Sequence, residues 1–376
     1  MKKLLTTALI VMLLALASDL FAQLKISGDS RFRPRLNIDD KTEDGGNVTN
    51  DVYYMYRLRL NLNWNIGDGY FMQSRLGHNG LGGYGIFGKG LSPDGLGAYG
   101  KDYSEGSRRM SLDVMFLNGG FKSADFGYKF GLFGAGSFAN PVFDIHYFAE
   151  TMIDVPFFIF QNDGFYGASA YYKVGPGNLT LSAFYDNPLG KSIEDANGNE
   201  KSNMSDQYTF YLDYKVKIAD WTVQPMFVMT MAETATAPMT FGANINSPKL
   251  VGDLALGLYG FYSMNSVKTA EINYFDYGMV NNEYAAYLIR AKLSGKVGPG
   301  KLLLWVDLGN REDTFDNGST ESNDFMYSWL GYSFTVYKGD TGSFEITPEW
   351  RHLVKGVDGT NIQTREMIEV SFDFKF

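Results

Sequence analysis

Arginine recurs at alternate positions near the amino terminus, and this spacing is the clearest chemical pattern in the sequence. Arg31, Arg33 and Arg35 are separated by single residues, and Arg57 and Arg59 repeat the spacing. Residues two apart lie on the same face of a β-strand, so each run places its guanidinium groups side by side. A row of guanidinium groups attracts anions and can bind carboxylates at two points. We predict a basic wall composed of Arg31, Arg33, Arg35, Arg57, Arg59, Arg75, Arg109, Lys129, Arg351 and Arg365.

Carboxylates are interleaved with the last of these arginines, at Glu345, Glu349, Glu369 and Asp373. Two interpretations follow. The arginines could form an electrostatic ladder that orients anions or polar solutes, or they could pair with the carboxylates and keep a polar interior satisfied. We favour the ladder, because successive arginines on one face exceed the number that pairing requires.

Other reactive groups are sparse. The chain has three histidines, His78, His146 and His352, and no cysteine. An enzyme would need a histidine beside a nucleophile or a bound water, and only His146 has a carboxylate, Asp144, close to it in sequence. Residues 40–51 share part of the spacing of a calcium-binding loop, but a solvated loop explains them better. We predict no catalytic residue, no metal site and no cofactor.

The elements that carry the arginines are predicted to be strands with one apolar and one polar face. In residues 24–36, Ile26 and Phe32 alternate with the charged side chains, and residues 52–65, 207–217 and 301–309 repeat the pattern. An antiparallel barrel that crosses a membrane produces it, with apolar side chains toward lipid and polar ones toward an inner lumen. A secreted soluble β-protein is the alternative, and it would have to turn every charged face to solvent.

The amino terminus has the form of a secretory signal. Lys2 and Lys3 precede an apolar run that ends at Ala17, and this run is too short to be a spanning helix. Cleavage could follow Ala17 or Ala22, and we favour Ala22, because the strand pattern begins directly after it. We therefore predict a signal peptide at residues 1–22 and a single transmembrane barrel at residues 23–376. The net charge of -9 disfavours nucleic acid as a partner.

Short turns and long polar stretches alternate along the chain, which is typical of barrels with periplasmic turns and extracellular loops. The long stretches are residues 37–51, 80–107, 135–163, 187–205, 233–249 and 310–323. The predicted strands are 24–36, 52–65, 69–79, 108–121, 125–134, 164–174, 178–187, 206–217, 221–232, 250–263, 268–278, 283–297, 300–310, 323–337, 343–354 and 363–376. This makes about sixteen, or fourteen if residues 249–283 form one loop, and either number leaves a pore.

The stretch at residues 135–163 differs from the others because it is apolar in places and also carries charge. Its titratable residues are Asp144, His146, Glu150 and Asp154. Exposed apolar surface of this extent is costly in water. We favour a segment that folds inward and constricts the pore; the alternative is a segment that packs on a neighbouring subunit.

The carboxyl terminus alternates apolar residues from Ile368 to a terminal Phe376. It resembles the assembly signal of bacterial outer-membrane barrels, and the whole chain resembles Gram-negative porins and alginate-export-like barrels in plan. SGDSRFRPRL, followed by YRLRLNLNW, is similar to their first hairpin. The resemblance implies a constriction loop and an arginine-lined wall.

We therefore expect an outer-membrane porin that passes small hydrophilic solutes and prefers anions. Its expected partners are outer-membrane lipid, lipopolysaccharide and small hydrophilic solutes, and we expect that three copies of the chain could form a homotrimer. A channel specific for anionic saccharides or oxyanions is the alternative, followed by a non-conducting structural or adhesion barrel or a barrel enzyme.

Overall fold

The computed structural model describes residues 24–41, 47–78, 85–87, 112–133, 165–185, 193–194, 200–201, 208–231, 239–265, 283–315 and 318–376. Sixteen antiparallel strands in these ranges form one closed barrel, so the predicted fold class is confirmed and the fourteen-strand alternative is wrong. They are β1 Leu24–Lys41, β2 Asn47–Gly67, β3 Tyr70–His78, β4 Leu112–Lys122, β5 Phe126–Phe133, β6 Phe165–Val174, β7 Gly177–Tyr185, β8 Tyr208–Ile218, β9 Trp221–Met231, β10 Met239–Val251, β11 Leu254–Asn265, β12 Glu283–Val297, β13 Gly300–Thr314, β14 Thr320–Lys338, β15 Ser343–Val357 and β16 Thr360–Lys375.

Three shorter segments accompany the barrel. Gly85–Phe87 pairs with β2, beyond the point where the pairing of β2 with β3 ends. Ile193–Glu194 and Glu200–Lys201 pair with each other. Within the described part of the chain, no helix is long and apolar enough to cross a bilayer.

The barrel closes where β1 meets β16, and we call this junction the seam. The two strands pair from Asp29 opposite Lys375 to Lys41 opposite Gln363. The amide of Gly28 donates to the carbonyl of Phe376 at 2.8 Å, and the amide of Phe376 donates back at 3.1 Å. The two ends of the described chain are therefore hydrogen-bonded to each other, and the barrel has no open edge at the seam.

Side chains alternate between an inner and an outer face along each strand. On β1, Phe32 is 42% exposed on the outer face, whereas its neighbour Arg33 is 5% exposed on the inner face. Near one end of the barrel, the outer-face ring of Phe121 lies 5.2 Å from those of Tyr70 and Phe126. Apolar residues on the outside and charged residues on the inside invert the pattern of a soluble protein, as a membrane barrel requires.

Connections at one end of the barrel are all short, and we call it the turn end. They comprise residues 68–69, 123–125, 175–176, 219–220, 252–253, 298–299 and 339–342. At the opposite, loop end, three connections are shorter than predicted: 42–46, 315–319 and 358–359. The polar residues at 37–41 and 47–51 continue β1 and β2 instead of forming a loop, because Asn37 and Asp39 face inward and are buried there.

A further stretch was predicted wrongly. Residues 239–249 belong to β10 rather than to a loop, and the predicted strand 250–263 contains the turn at 252–253. Glycine, asparagine and proline suggested a loop, but inside a barrel amide side chains can occupy the inner face: Tyr259 donates to Asn246 at 2.8 Å. Pro248 lies where the register shifts, so its missing N–H is tolerated. The predicted strand 268–278 lies outside the described residues.

Candidate functional site in the barrel interior

The described residues of the predicted basic wall all lie on the inner face of the barrel. Arg31, Arg33 and Arg35 are on β1, Arg57 and Arg59 on β2, Arg75 on β3, Lys129 on β5, Arg351 on β15 and Arg365 on β16. The strand order brings β15, β16, β1, β2 and β3 side by side across the seam. Arg109, Asp144, His146, Glu150 and Asp154 lie outside the described residues, so their predicted roles stay predictions.

Arginines and carboxylates are paired across the seam. Arg31 bonds to Asp373. Arg35 lies 2.6 Å from Glu369. These contacts join residues at opposite ends of the sequence, because the barrel places the first and last strands together.

Asp39 forms a third contact across the seam, nearer the loop end. Its carboxylate lies 3.1 Å from Arg365 and accepts a hydrogen bond from the amide of Gln363 at 2.7 Å. Because both partners are on β16 and Asp39 is on β1, this cluster also holds the two strands together.

Glu369 is the centre of a buried network. It accepts from Arg35 and Arg351, and Arg33 lies 3.5 Å from it. Arg33 also contacts Glu349 at 3.2 Å, and the side chain of Glu369 is fully buried. A buried carboxylate that neutralises several arginines keeps those arginines in fixed positions, because losing it would leave unpaired buried charge.

A second cluster, nearer the turn end, is less neutralised. Asp29 accepts from Arg57 at 2.9 Å and from Arg59 at 2.8 Å, so two cations share one carboxylate. Arg75 bonds to the amide oxygen of Asn61 at 2.7 Å, and its guanidinium lies 5.1 Å from the ring centre of Phe116. Asn61 and Phe116 carry no charge, so these contacts leave the positive charge of Arg75 unneutralised.

The arginines also differ in their access to the lumen. The side chains of Arg31 and Arg59 are 23% and 24% exposed, whereas that of Arg33 is 6% exposed. Arg35, Arg57, Arg351 and Arg365 are buried as well. The predicted wall thus contains arginines held in ion pairs and a smaller set that solutes can approach.

Sequence reasoning missed a third cluster. Arg290 on β12 makes two hydrogen bonds, of 2.6 and 2.7 Å, to Asp307 on β13, and its guanidinium lies 4.6 Å from the ring centre of Trp305. Trp305 contacts Trp329 at 4.3 Å, and Arg351 lies 3.9 Å over Trp329. Both faces of β12 carry apolar residues in this part of the strand, which hid the alternation that would have identified Arg290.

The inner face also has a large apolar area, which the prediction of a polar lumen did not include. Phe133, Phe184, Val228 and Leu288 face inward, and each is at most 1% exposed. They belong to an apolar cluster that extends to Trp305 and beyond. Inner-face side chains need not be polar where other side chains cover them, so alternation alone could not reveal this area.

Among the described residues, no three or more histidine, cysteine or acidic side chains are placed to hold a metal ion. Residues 42–46 of the calcium-like stretch lie outside those residues, as does His146. The ring of His352 is on the outer face, where its Nδ1 lies 2.6 Å from Glu366. His352 therefore points away from the charged lumen.

Known structures share this architecture at low sequence identity. An outer-membrane channel of Acinetobacter baumannii, DcaP, matches with a TM-score of 0.57 and 14% identity over 94% of this chain and 97% of that one. An anion-selective porin from Comamonas acidovorans matches with a TM-score of 0.52 and 12% identity over 94% and 99%. OmpT of Vibrio cholerae matches with a TM-score of 0.53 and 11% identity over 94% and 97%. No family model and no curated protein matches the sequence.

These similarities show a fold that outer-membrane channels also have. The charges of the barrel interior bear on what passes through it. Fully buried charges nearly balance among the described residues, with seven arginines and eight carboxylates. The half-buried inner-face charges are mainly basic there. The basic residues are Lys41, Arg31, Arg59, Arg75, Lys129, Lys292 and Lys355, and the acidic ones are Asp51, Glu321 and Glu345. Within the described part of the chain, the half-buried charges that solutes can approach are therefore mostly positive.

Proposed function

We propose that this protein is an outer-membrane channel that passes small hydrophilic solutes and prefers anions. The observation that carries the proposal is the excess of positive charge among the inner-face residues that remain accessible. This excess of positive charge is centred on Arg59 and Arg75, and both lie near the same carboxylate, Asp29. A positive potential in a narrow aqueous passage raises the local concentration of anions and lowers that of cations.

Exposed lysines extend this positive surface at the turn end. By strand pairing, these exposed inner-face lysines are Lys25, Lys122, Lys173, Lys215, Lys217, Lys296, Lys301, Lys338 and Lys375. The chain as a whole has a net charge of -9, so this basic lumen is not a consequence of composition. Anions that enter from the turn end would meet positive charge before reaching the apolar area.

Reversal potentials across a planar bilayer under a salt gradient test the proposal. We expect the wild type to conduct with anion preference, and Arg59→Ala with Arg75→Ala to lower the anion-to-cation permeability ratio. A unit charge about 8 Å from an ion in water contributes ~0.5 kcal/mol, so each substitution should lower the ratio roughly twofold.

The control is Glu312→Gln, which removes one charge from an exposed position on the outer face of β13. It should leave the ratio unchanged. A folded protein that never conducts, or an unchanged ratio in the double variant, would contradict the proposal. Block of the current by a low concentration of an anionic saccharide would favour the substrate-specific alternative.

The apolar area of the inner face supports a narrowed lumen and keeps the non-conducting barrel as a second candidate. Phe133 is the last described residue before residues 134–164, and it is fully buried. We propose that the segment at 135–163 binds to this apolar area and sets Asp144, Glu150 and Asp154 toward the lumen. Replacing these three with asparagine should increase anion preference; no change would contradict their placement.

We also propose that the barrel forms a homotrimer surrounded by outer-membrane lipid and lipopolysaccharide. One form of OmpT from Vibrio cholerae that this chain resembles is described as a trimer (TM-score 0.51, 11% identity). Native mass spectrometry of the detergent-solubilised protein would test this, and the same spectra would show whether the mature chain begins at Gln23.

A further inference from the structure

The seam differs from every other strand junction in the barrel because no turn or loop connects its two strands. All other neighbours follow each other in sequence, and the two hairpins beside the seam have short connections, 42–46 and 358–359, that limit their register. β1 and β16 lie at opposite ends of the chain, and each residue of one must find its partner without such help. A shift of one residue would exchange the two faces, but a shift of two would keep apolar side chains outside.

Charges directly opposite each other at the seam are complementary. Asp29 faces Lys375, and Arg31 faces Asp373. Further toward the loop end, the opposed pairs are Arg35 with Glu369 and Asp39 with Arg365. The last three pairs are also in direct side-chain contact. All four therefore favour the observed register.

The connected strand pairs beside the seam are less complementary. Across the first hairpin, Asp29 faces Arg59, but Arg31 faces Arg57. Across the last hairpin, Glu349 faces Glu369 and Glu345 faces Asp373. Like charges directly opposite are unfavourable on their own, but a connected hairpin keeps its register regardless. All four opposed charged pairs at the seam are complementary, whereas each of the two neighbouring hairpins contains at least one like-charged pair.

Registers shifted by two residues would oppose fewer complementary charges at the seam and would create like-charged pairs. A shift of two residues in one direction places Asp29 opposite Asp373 and keeps one complementary pair, Arg33 with Glu369. The opposite shift keeps only Arg33 with Asp373 and creates two like-charged pairs. Those two are Arg31 with Lys375 and Lys41 with Arg365.

We propose that the charge pattern at the seam selects the register in which the barrel closes. Closing register sets the shear of a barrel, and shear together with strand number sets its radius. The arginines of β1 thus help to determine the width of the lumen as well as its charge. This inference goes beyond the proposed channel and does not require that the protein conducts.

A charge reversal with no change in net charge tests it. Arg31→Asp with Asp39→Arg puts like charges at two of the four native pairs and complementary charges at two pairs of a shifted register. Adding Asp373→Arg with Arg365→Asp restores all four native pairs. The register is measured by oxidative cross-linking of introduced cysteines on the outer face, since the chain has none of its own.

Three cysteine pairs report the register. Leu36→Cys with Ile368→Cys joins residues that face each other in the native register. Leu36→Cys with Val370→Cys, and Leu36→Cys with Glu366→Cys, report the two shifts. In the wild-type background we expect the native pair to cross-link at least about fivefold more than either shifted pair.

The reversal should move cross-linking toward Leu36→Cys with Val370→Cys, or lower the fraction of folded barrel, and the restored variant should recover the native result. Unchanged cross-linking and folding in the reversal would overturn the proposal. Failure of the restored variant to recover would overturn it as well.

A hairpin of the same barrel provides the control. Arg290→Asp opposes two carboxylates between β12 and β13, whose register is limited by the turn at 298–299. Cross-linking of Ile289→Cys with Leu308→Cys should therefore persist in that variant.

Discussion

Two parts of the barrel wall differ in strand length and in the side chains that hold neighbouring strands together. The seam wall, composed of β15, β16, β1 and β2, has strands of 15, 16, 18 and 21 residues. The short wall, composed of β4 to β7, has strands of 11, 8, 10 and 9 residues. Ion pairs fill the inner face of the seam wall, whereas the buried inner-face residues of the short wall are neutral polar or aromatic, such as Asn118, Ser169 and Phe184.

The difference follows from how each wall is connected. Within the short wall all neighbours are successive in sequence, and glycines allow close packing: a Cβ at Gly119 would lie 3.0 Å from the carbonyl oxygen of Phe71 on β3. The seam wall joins the two ends of the chain, and charged side chains supply specific partners. Seam substitutions should therefore disturb folding more than equivalent changes in the short wall.

The largest effect is expected at Glu369. Glu369→Gln removes the charge that neutralises Arg33, Arg35 and Arg351, and breaking a buried ion pair typically costs about 3–5 kcal/mol. Urea unfolding in lipid vesicles should show a loss of this size. The matched control is Glu366→Gln on the outer face of the same strand, where a partly exposed carboxylate bonds to His352, and about 1 kcal/mol is expected. Equal losses would contradict the role of the network.

The second largest effect on stability is expected at Gly28, where β1 contacts the last residue of the chain. A Cβ there would lie 2.6 Å from the carbonyl oxygen of Arg59 and would also overlap the ring of Phe376. Gly28→Ala should lower the free energy of unfolding by about 1–3 kcal/mol, because overpacking forces the backbone to shift. In Gly260→Ala, the new Cβ meets no described atom within 4 Å, so this variant should remain near wild type. Equal stability of the two variants would show that the terminal contact does not hold the seam.

A smaller effect is expected where aromatic rings support the seam arginines. Trp329→Leu removes the ring under Arg351 but keeps an apolar side chain, and should cost about 1–2 kcal/mol from the lost cation–π contact. If Arg351 depends on this ring, Arg351→Met should make the loss from Trp329→Leu smaller. Additive losses in the double-mutant cycle would argue against coupling.

The smallest effect is expected in the short wall. Ser182 donates to Ser169 at 2.8 Å between β7 and β6, and both are buried. Ser182→Ala should cost about 1 kcal/mol, because it removes one buried hydrogen bond. Ser182→Ala with Ser169→Ala should cost little more than the single change. A loss that approaches that of Glu369→Gln would remove the contrast between the two walls.

Much of the fold could be predicted from the sequence because strand alternation is a local property. The faces of β1 and β2 and the turn–loop asymmetry follow from residues close together in the chain. The count of sixteen strands is confirmed, although most of β10 was predicted as a loop and the predicted strand 268–278 lies outside the described residues. The prediction was wrong where the residue types are typical of loops but the residues lie on the inner face of a strand. Asn244 and Asn246 indicated a loop but belong to the inner face of β10.

The partners of the arginines could not be predicted in the same way. Sequence spacing placed Arg31, Arg33 and Arg35 on one inner face, but it did not show which carboxylates they meet. Those contacts join residues more than 300 positions apart and exist only after the barrel has closed. Closure also separates the buried, paired arginines from the accessible Arg59 and Arg75. The sequence by itself therefore determined the alternation and the basic character of the wall, because both are local; only the tertiary structure decided which charges cancel, because that depends on the register of the two ends of the chain.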